Sequence, residues 1–257
     1  MEIIRSRQNP LAKQLIKLAE SRRERQKQQQ TILIGTHLVE SALHAGWTLE
    51  KLLVCEGKEH GDEIATLLQR KAAPVLMLDR VLFEEIEQAP STTGLLALAT
   101  IPVTPVINRK GFCLLLEGVQ DPGNVGSILR TAAAAGVDQV WLSSGCADVW
   151  SPKVLRAGMG AHFLLPLIER INLQDVLPAF AGKIAITTLE EADSLYAADL
   201  RGNLVLAFGS EGGGVSNELL ALATQHLKIP MPGKTESLNV AAAAAICLFE
   251  RVRQMQG

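Results

Sequence analysis

The strongest constraint on the fold is a series of short, mostly apolar runs in the second half of the chain: Phe112–Leu116, Val140–Leu142, Lys183–Thr187, Leu204–Phe208 and Leu227–Ile229. A strand with one face in water alternates apolar and polar residues; these runs do not alternate, so they belong to strands covered on both faces. The intervening spacing predicts helices over about 125–135, 152–159 and 216–223, and a terminal helix through the five alanines 241–245. Strands alternating with helices specify an α/β domain around a parallel sheet, whose ligands bind beyond the carboxyl ends of the strands.

The chain's most polar, glycine-rich loops fall at those strand ends. Leu116 is followed by Glu117-Gly-Val-Gln-Asp-Pro-Gly-Asn-Val-Gly-Ser-Ile-Leu-Arg130, and Phe208 by Gly209-Ser-Glu-Gly-Gly-Gly-Val-Ser216. Ile229 leads into Pro-Met-Pro-Gly-Lys-Thr-Glu-Ser-Leu-Asn-Val240, where Ser237 or Asn239 caps the alanine-rich helix. Strand-end loops of a parallel sheet lie on one side, so all three converge on one composite site. The glycines at 212–214 permit close backbone approach to a ligand, and the first helical amides can meet acceptor groups. No Gly-x-Gly-x-x-Gly follows a first strand and no Gly-Lys-Ser/Thr occurs, so the usual dinucleotide and P-loop sites lack their residues.

The front half is a smaller α/β unit. Asn9-Pro10 followed by Leu11, Leu15 and Leu18 predicts a capped first helix. It runs into residues 22–30, without an apolar residue, which are either an exposed helical extension or a mobile connector. Strands are expected at 31–34, 51–55, 75–78 and 95–99, with helices through 38–43, 64–69 and 82–86. The predicted organisation is a basic N-terminal arm (1–30), a small α/β domain (31–100), a proline-containing linker (101–110) and the larger domain (111–257).

Net charge is −2, which excludes a protein that coats nucleic acid by bulk charge. The arm is different: eight basic residues stand against three acidic ones, a polyanion contact or a solvated helix face. No apolar run approaches the ~20 residues of a membrane helix, and the N-terminus shows no signal core, so a cytoplasmic address without membrane contact is expected. The four cysteines are dispersed and read as free thiols; the five histidines have no metal-ligand spacing, so no metal is expected.

Three ordered motifs, Asn124-Val-Gly-Ser-Ile-Leu-Arg130, Gly209-Ser-Glu211 with Gly214 and Ser216, and Ile229-Pro-Met with Ser237-Leu-Asn-Val240, resemble those of the SpoU, or TrmH, RNA 2′-O-ribose methyltransferases. The resemblance covers roughly residues 111–257. The front part is similar to that family's substrate-binding domain of ribosomal-protein L30-like fold, with Ile34 where many relatives carry a glutamate. The resemblance implies a catalytic domain of the SPOUT superfamily with a deep trefoil knot, S-adenosylmethionine as cofactor, and a homodimer formed through the knotted domain. It implies an RNA substrate, with rRNA preferred over tRNA. A tRNA methyltransferase, or a non-catalytic RNA-binding or ribosome-assembly protein of the same fold, is the competing reading. In that frame the alanines would let the helix pass close to neighbouring backbone.

The resemblance also implies the site residues. Arg130 activates the ribose hydroxyl, although its high pKa equally suits stabilising the alkoxide or gripping a phosphate. Asn124 orients its neighbours or caps a helix. Glu211 orients the catalytic groups or meets the cofactor's ammonium, while Ser237 and Asn239 complete the catalytic pocket. Gly209, Ile229 and Leu238 hold the adenine. Ser151, Lys153 and Arg156 read as RNA contacts or surface ion-pair partners, and His162 with the three tryptophans as packing residues.

Overall fold

The computed structural model describes residues 3–88, 92–188 and 192–256; Met1 and Glu2 of the arm and Gly257 at the end of the larger domain lie outside the described residues. Contacts divide the chain into two units, one running to Val103 and including Asp148–Phe163, the other formed by Thr104–Ala147 and the chain from Leu164 onward.

In the first unit the order is β1 (Ile3–Ile4), α1 (Pro10–Glu20), α2 (Arg22–Gln28), β2 (Gln30–Ile34), α3 (Thr36–His44), β3 (Leu49–Cys55), α4 (Asp62–Gln69), β4 (Val75–Leu78), α5 (Arg80–Glu87) and β5 (Leu95–Thr100). The strands form a mixed sheet in the order β1-β4-β3-β5-β2, parallel across β1-β4-β3 and antiparallel at β5. Asn9 caps α1 by accepting from the Leu11 amide, and Ala12, Leu15, Ile16 and Leu18 bury its apolar stripe against Phe83, Ile86 and Leu98. The apolar-free stretch after it is the helix α2, begun by the Ser21 side chain and ended by Gln29 at φ 53°. An arginine anchors it: Arg25 is buried, pairs with Asp148 at 2.6 Å, and donates to the carbonyls of Leu18 and Ala19.

The second unit begins with β6 (Phe112–Leu116), α6 (Pro122–Ala134) and β7 (Gln139–Ser143). The chain then contributes Asp148–Phe163, with α7 (Pro152–Gly158), to the first unit. There Thr31 Oγ1 donates to the Trp150 carbonyl at 2.6 Å, Trp47 meets the rings of Trp150 and Phe163, and Arg156 donates to the Glu87 carbonyl. Ser151 caps α7 through the Val154 amide.

The remaining elements are β8 (Leu167–Ile171), α8 (Leu173–Val176), β9 (Lys183–Thr187), β10 (Asp193–Ser194), β11 (Leu204–Phe208), α9 (Asn217–Leu222), β12 (Gln225–Lys228) and α10 (Val240–Gln256). The sheet order is β10-β12-β9-β11-β6-β7-β8, and every pairing is parallel. The central β6 and β11 are buried at every position, the physical content of their continuous apolar runs. Alternate residues such as Cys113, Leu115, Val205 and Ala207 pack on one face with Leu173, Val176 and Leu219, while α10 is a neighbour of α6 and β11.

Two differences from the sequence reading concern the site. Helix α6 starts at Pro122, not near 125, because Asp121 Oδ1 takes the Asn124 amide at 2.7 Å; Asn124 is therefore in the first turn and is not the cap. Strand β12 spans Gln225–Lys228, so Ile229 already belongs to the loop. The unexpected β8 and β10 are the sheet edges, where charged and polar residues replace the apolar run.

Candidate active site

The loops after β6, β11 and β12 meet in a hydrogen-bonded chain. Asn239 caps α10: its Oδ1 accepts from the Ala241 and Ala242 amides at 2.9 and 3.2 Å. Its Nδ2 donates to Asn124 Oδ1 at 3.0 Å, and Asn124 Nδ2 donates to Glu211 Oε1 at 2.8 Å. Each polarity follows from the ends. Helix amides can only donate, so Asn239 must present its oxygen to them and its nitrogen to Asn124; Asn124 then has its own nitrogen left for the carboxylate. The chain joins the positive end of α10 to a negative side chain, a favourable alignment.

Beside this chain lies a cavity of about 570 Å³ lined by Gly209–Gly212, Gly214, Ile229, Met231, Glu236–Val240 and Ala243, with Phe208, Thr187 and Thr188. Its walls are glycine backbone, apolar side chains and helix start, and among the described residues its ionisable lining is Glu211 and Glu236, with no lysine or arginine. Such a surface suits a ligand with a flat apolar part and a positive group, and provides no cation for a polyphosphate. Gly209 is obligatory here: a Cβ on it would stand 2.0 Å from the Gly214 carbonyl oxygen, because the loop folds back through reciprocal Ser210–Gly214 backbone bonds.

The structure therefore brings together Asn124, Glu211, Ser237, Asn239, Gly209, Ile229 and Leu238. Arg130 is set apart. It is exposed in the C-terminal half of α6, outside the cavity lining; six residues place it about 9 Å farther along the helix than Asn124 and about a third of a turn around it. Thr187 and Thr188, at the end of β9, are cavity residues that the sequence reading missed; their signal was a polar pair directly after Ile184-Ala-Ile186. His162 is buried, bonds the Val149 carbonyl, and burial pushes its pKa down to about 4, as expected of a packing residue.

Residues 111–249 match the SpoU rRNA methylase family, more than half of the chain. The chain belongs to that family. Residues 9–97 match the MRM3-like substrate binding domain. Among the family's members, the chain is 33% identical to the 23S rRNA (guanosine(2553)-2′-O)-methyltransferase RlmP of Bacillus subtilis, over 97% of this chain and 98% of that protein. It is 33% identical to the 23S rRNA (guanosine-2′-O-)-methyltransferase RlmB of Shewanella oneidensis, over 88% and 98%. The crystal structure of the SpoU methyltransferase AviRb from Streptomyces viridochromogenes with AdoMet superposes with a TM-score of 0.89 at 27% identity, covering 97% of this chain and 99% of that one. Among the described residues no helix is long and apolar enough to cross a membrane, and no group of potential metal ligands occurs.

Proposed function

We propose that the protein is an S-adenosylmethionine-dependent RNA methyltransferase acting on a ribose 2′-hydroxyl of rRNA. The observation that carries this is the cavity: glycine backbone and apolar walls at the carboxyl ends of parallel strands, with two carboxylates and no cation among the described lining residues. These residues fit the cofactor. Gly209, Ile229 and Leu238 would hold the adenine, and Glu211 or Glu236 would meet the positively charged end. Bound there, S-adenosylmethionine supplies an electrophilic methyl group on a sulfonium.

The protein's part is to orient the ribose and manage its proton. Glu211, held by Asn124, presents a carboxylate beside the cavity, and Ser237 and Asn239 add neutral polar groups at the start of α10. Arg130, outside the cavity, is assigned to the RNA, where its planar fork grips a phosphate or stabilises charge developing on the attacking oxygen. RNA contact by the first unit is supported by its free cations: Arg5, Arg7 and Arg25 are paired with Glu56, Glu85 and Asp148, whereas Lys13, Lys17, Arg23 and Lys27 are exposed and form no ion pair among the described residues.

The same reading includes a homodimer, supported by an incompletely covered stripe on α10, where Ala242 and Phe249 are exposed and Ile246 half-buried at i, i+7 and i+4. The reading also includes a trefoil knot, supported by family membership, and a cytoplasmic setting, which the four buried free cysteines suit. Incubation of the purified protein with labelled cofactor and rRNA should create an alkali-resistant ribose position. Absence of transfer to rRNA, with transfer to tRNA, would redirect the substrate; absence of any transfer would overturn the reading.

A further inference from the structure

Glu117, the first residue beyond β6, does not line the cavity, yet its side chain is committed to the glycine-rich loop that does. Its carboxylate accepts from Ser216 twice, from the backbone N–H at 2.8 Å through Oε2 and from the hydroxyl at 2.6 Å through Oε1. The Ser216 hydroxyl simultaneously accepts from the Leu219 amide at 3.1 Å, capping α9. The backbone N–H of Glu117 donates to the Phe208 carbonyl at 2.8 Å, continuing the β6-β11 ladder by one residue.

The loop 209–216 is thus closed at both ends. At its entrance Ser210 and Gly214 exchange backbone bonds of 2.9 and 3.0 Å, and Gly209 packs against the returning strand of the loop. At its exit the Glu117 carboxylate fixes Ser216. Glu211 sits between the two closures, so the direction of its carboxylate toward Asn124 depends on both.

We propose that Glu117 is a positioning residue for methyl transfer: by clamping Ser216 it fixes the loop that walls the cofactor cavity and aims Glu211. Two hydrogen bonds to one ionised acceptor are geometrically specific. Neither partner has another role in the cavity, which makes the clamp separable from the chemistry. The proposal rests on the cofactor-site reading above.

The test compares wild type, Glu117→Ala, Glu117→Gln, Ser216→Ala and the Glu117→Ala/Ser216→Ala double variant. Hydrogen–deuterium exchange of peptides covering 209–216 reads the clamp without any ligand: faster exchange there, with β6 and β11 unchanged, is expected in Glu117→Ala. Calorimetry with S-adenosylmethionine should give about tenfold weaker binding in the same variant, about the effect of losing one charge-assisted hydrogen bond. Steady-state kinetics should show the KM for cofactor raised and the KM for rRNA unchanged. Glu117→Gln, which keeps one acceptor oxygen, should recover part of the loss, and Ser216→Ala should add little once Glu117 is gone. Unchanged exchange at 209–216, or additive losses in the double variant, would overturn the clamp. Faster exchange in Glu117→Ala while wild type binds no S-adenosylmethionine would instead retain the clamp as a structural feature and overturn its role in methyl transfer together with the site reading. If Glu117→Ala does not fold, Glu117→Gln carries the same comparisons, and wild-type exchange and affinity in that variant would count against the proposal.

Discussion

Replacing Asn124 by Asp tests whether the chain from α10 to Glu211 operates as an oriented unit. In the wild type the Asn124 amide nitrogen lies 2.8 Å from Glu211 Oε1 and its oxygen 3.0 Å from Asn239 Nδ2. The substitution keeps the second bond and therefore the cap on α10, but turns the first into an approach of two carboxylate oxygens. The lost charge-assisted bond is worth roughly 1.5–3 kcal/mol. Two unit negative charges ~3 Å apart repel by about 1 kcal/mol in bulk water and about 5 kcal/mol at an effective dielectric of 20; Glu211 is exposed, so the lower part of that range applies. The pair relieves the repulsion by turning Glu211 away or by sharing one proton, which raises the upper apparent pKa of the pair. Turnover at pH 8 should fall about 10–100-fold while the thermal midpoint changes little, and activity should partly return near pH 6 as the shared proton restores a hydrogen bond. A single-turnover pH–rate profile checks this. A profile superimposable on wild type in rate and shape would refute the idea that Asn124 aims Glu211.

Arg130→Ala should lower turnover at least ~100-fold with S-adenosylmethionine affinity unchanged, and Arg130→Lys should not restore it because the fork is lost; weakened cofactor binding would contradict its placement outside the cavity. Arg25→Met leaves Asp148 buried without its cation, and should cost about 3–5 kcal/mol in urea titration, with part recovered by adding Asp148→Asn. His162 has a folded pKa near 4 against an ordinary 6.5, so the unfolded chain takes up the proton first on acidification. Its stabilising contribution is complete above about pH 6.5 and is lost as pH falls toward 4, up to about 3 kcal/mol. His162→Phe should flatten the stability profile across that window, and an unchanged slope would reject the assignment.

Much of this was legible because burial on both faces leaves an unmistakable pattern: β6, β9 and β11 coincide with runs read directly from the sequence. The edges of the larger sheet were not legible, since Glu169 and Arg170 interrupt the apolar run of β8 and β10 is the two polar residues Asp193–Ser194. The helix α2 was ambiguous because its anchor is Arg25, whose burial depends on Asp148, a partner 123 positions away that no local pattern can announce. The site behaved similarly. Its motif loops stood out by composition, but the contribution of β9 required the strand order, which places β9 between β11 and β12 and thereby inserts Thr187 and Thr188 between two motif loops.

That strand order also bears on when the site can exist. Four strands lie in the order β12-β9-β11-β6, spanning about 14 Å at the usual ~4.8 Å spacing, and the bonds across them join residues 87, 99 and 115 positions apart. No short segment holds enough of these groups to form a partial site. The closure entropy of such long loops must be met by the apolar strands and by α6 packing beside α10 before the polar bonds can form. Hydrogen bonds between exposed side chains contribute little to the net stability of the domain; they select among arrangements of loops already brought together by the buried sheet. The core therefore determines where the loops converge, and the Asn239–Asn124–Glu211 chain determines which of their groups face the cavity. Substitutions in that chain should alter catalysis far more than folding, whereas substitutions in β6 or β11 should remove both together.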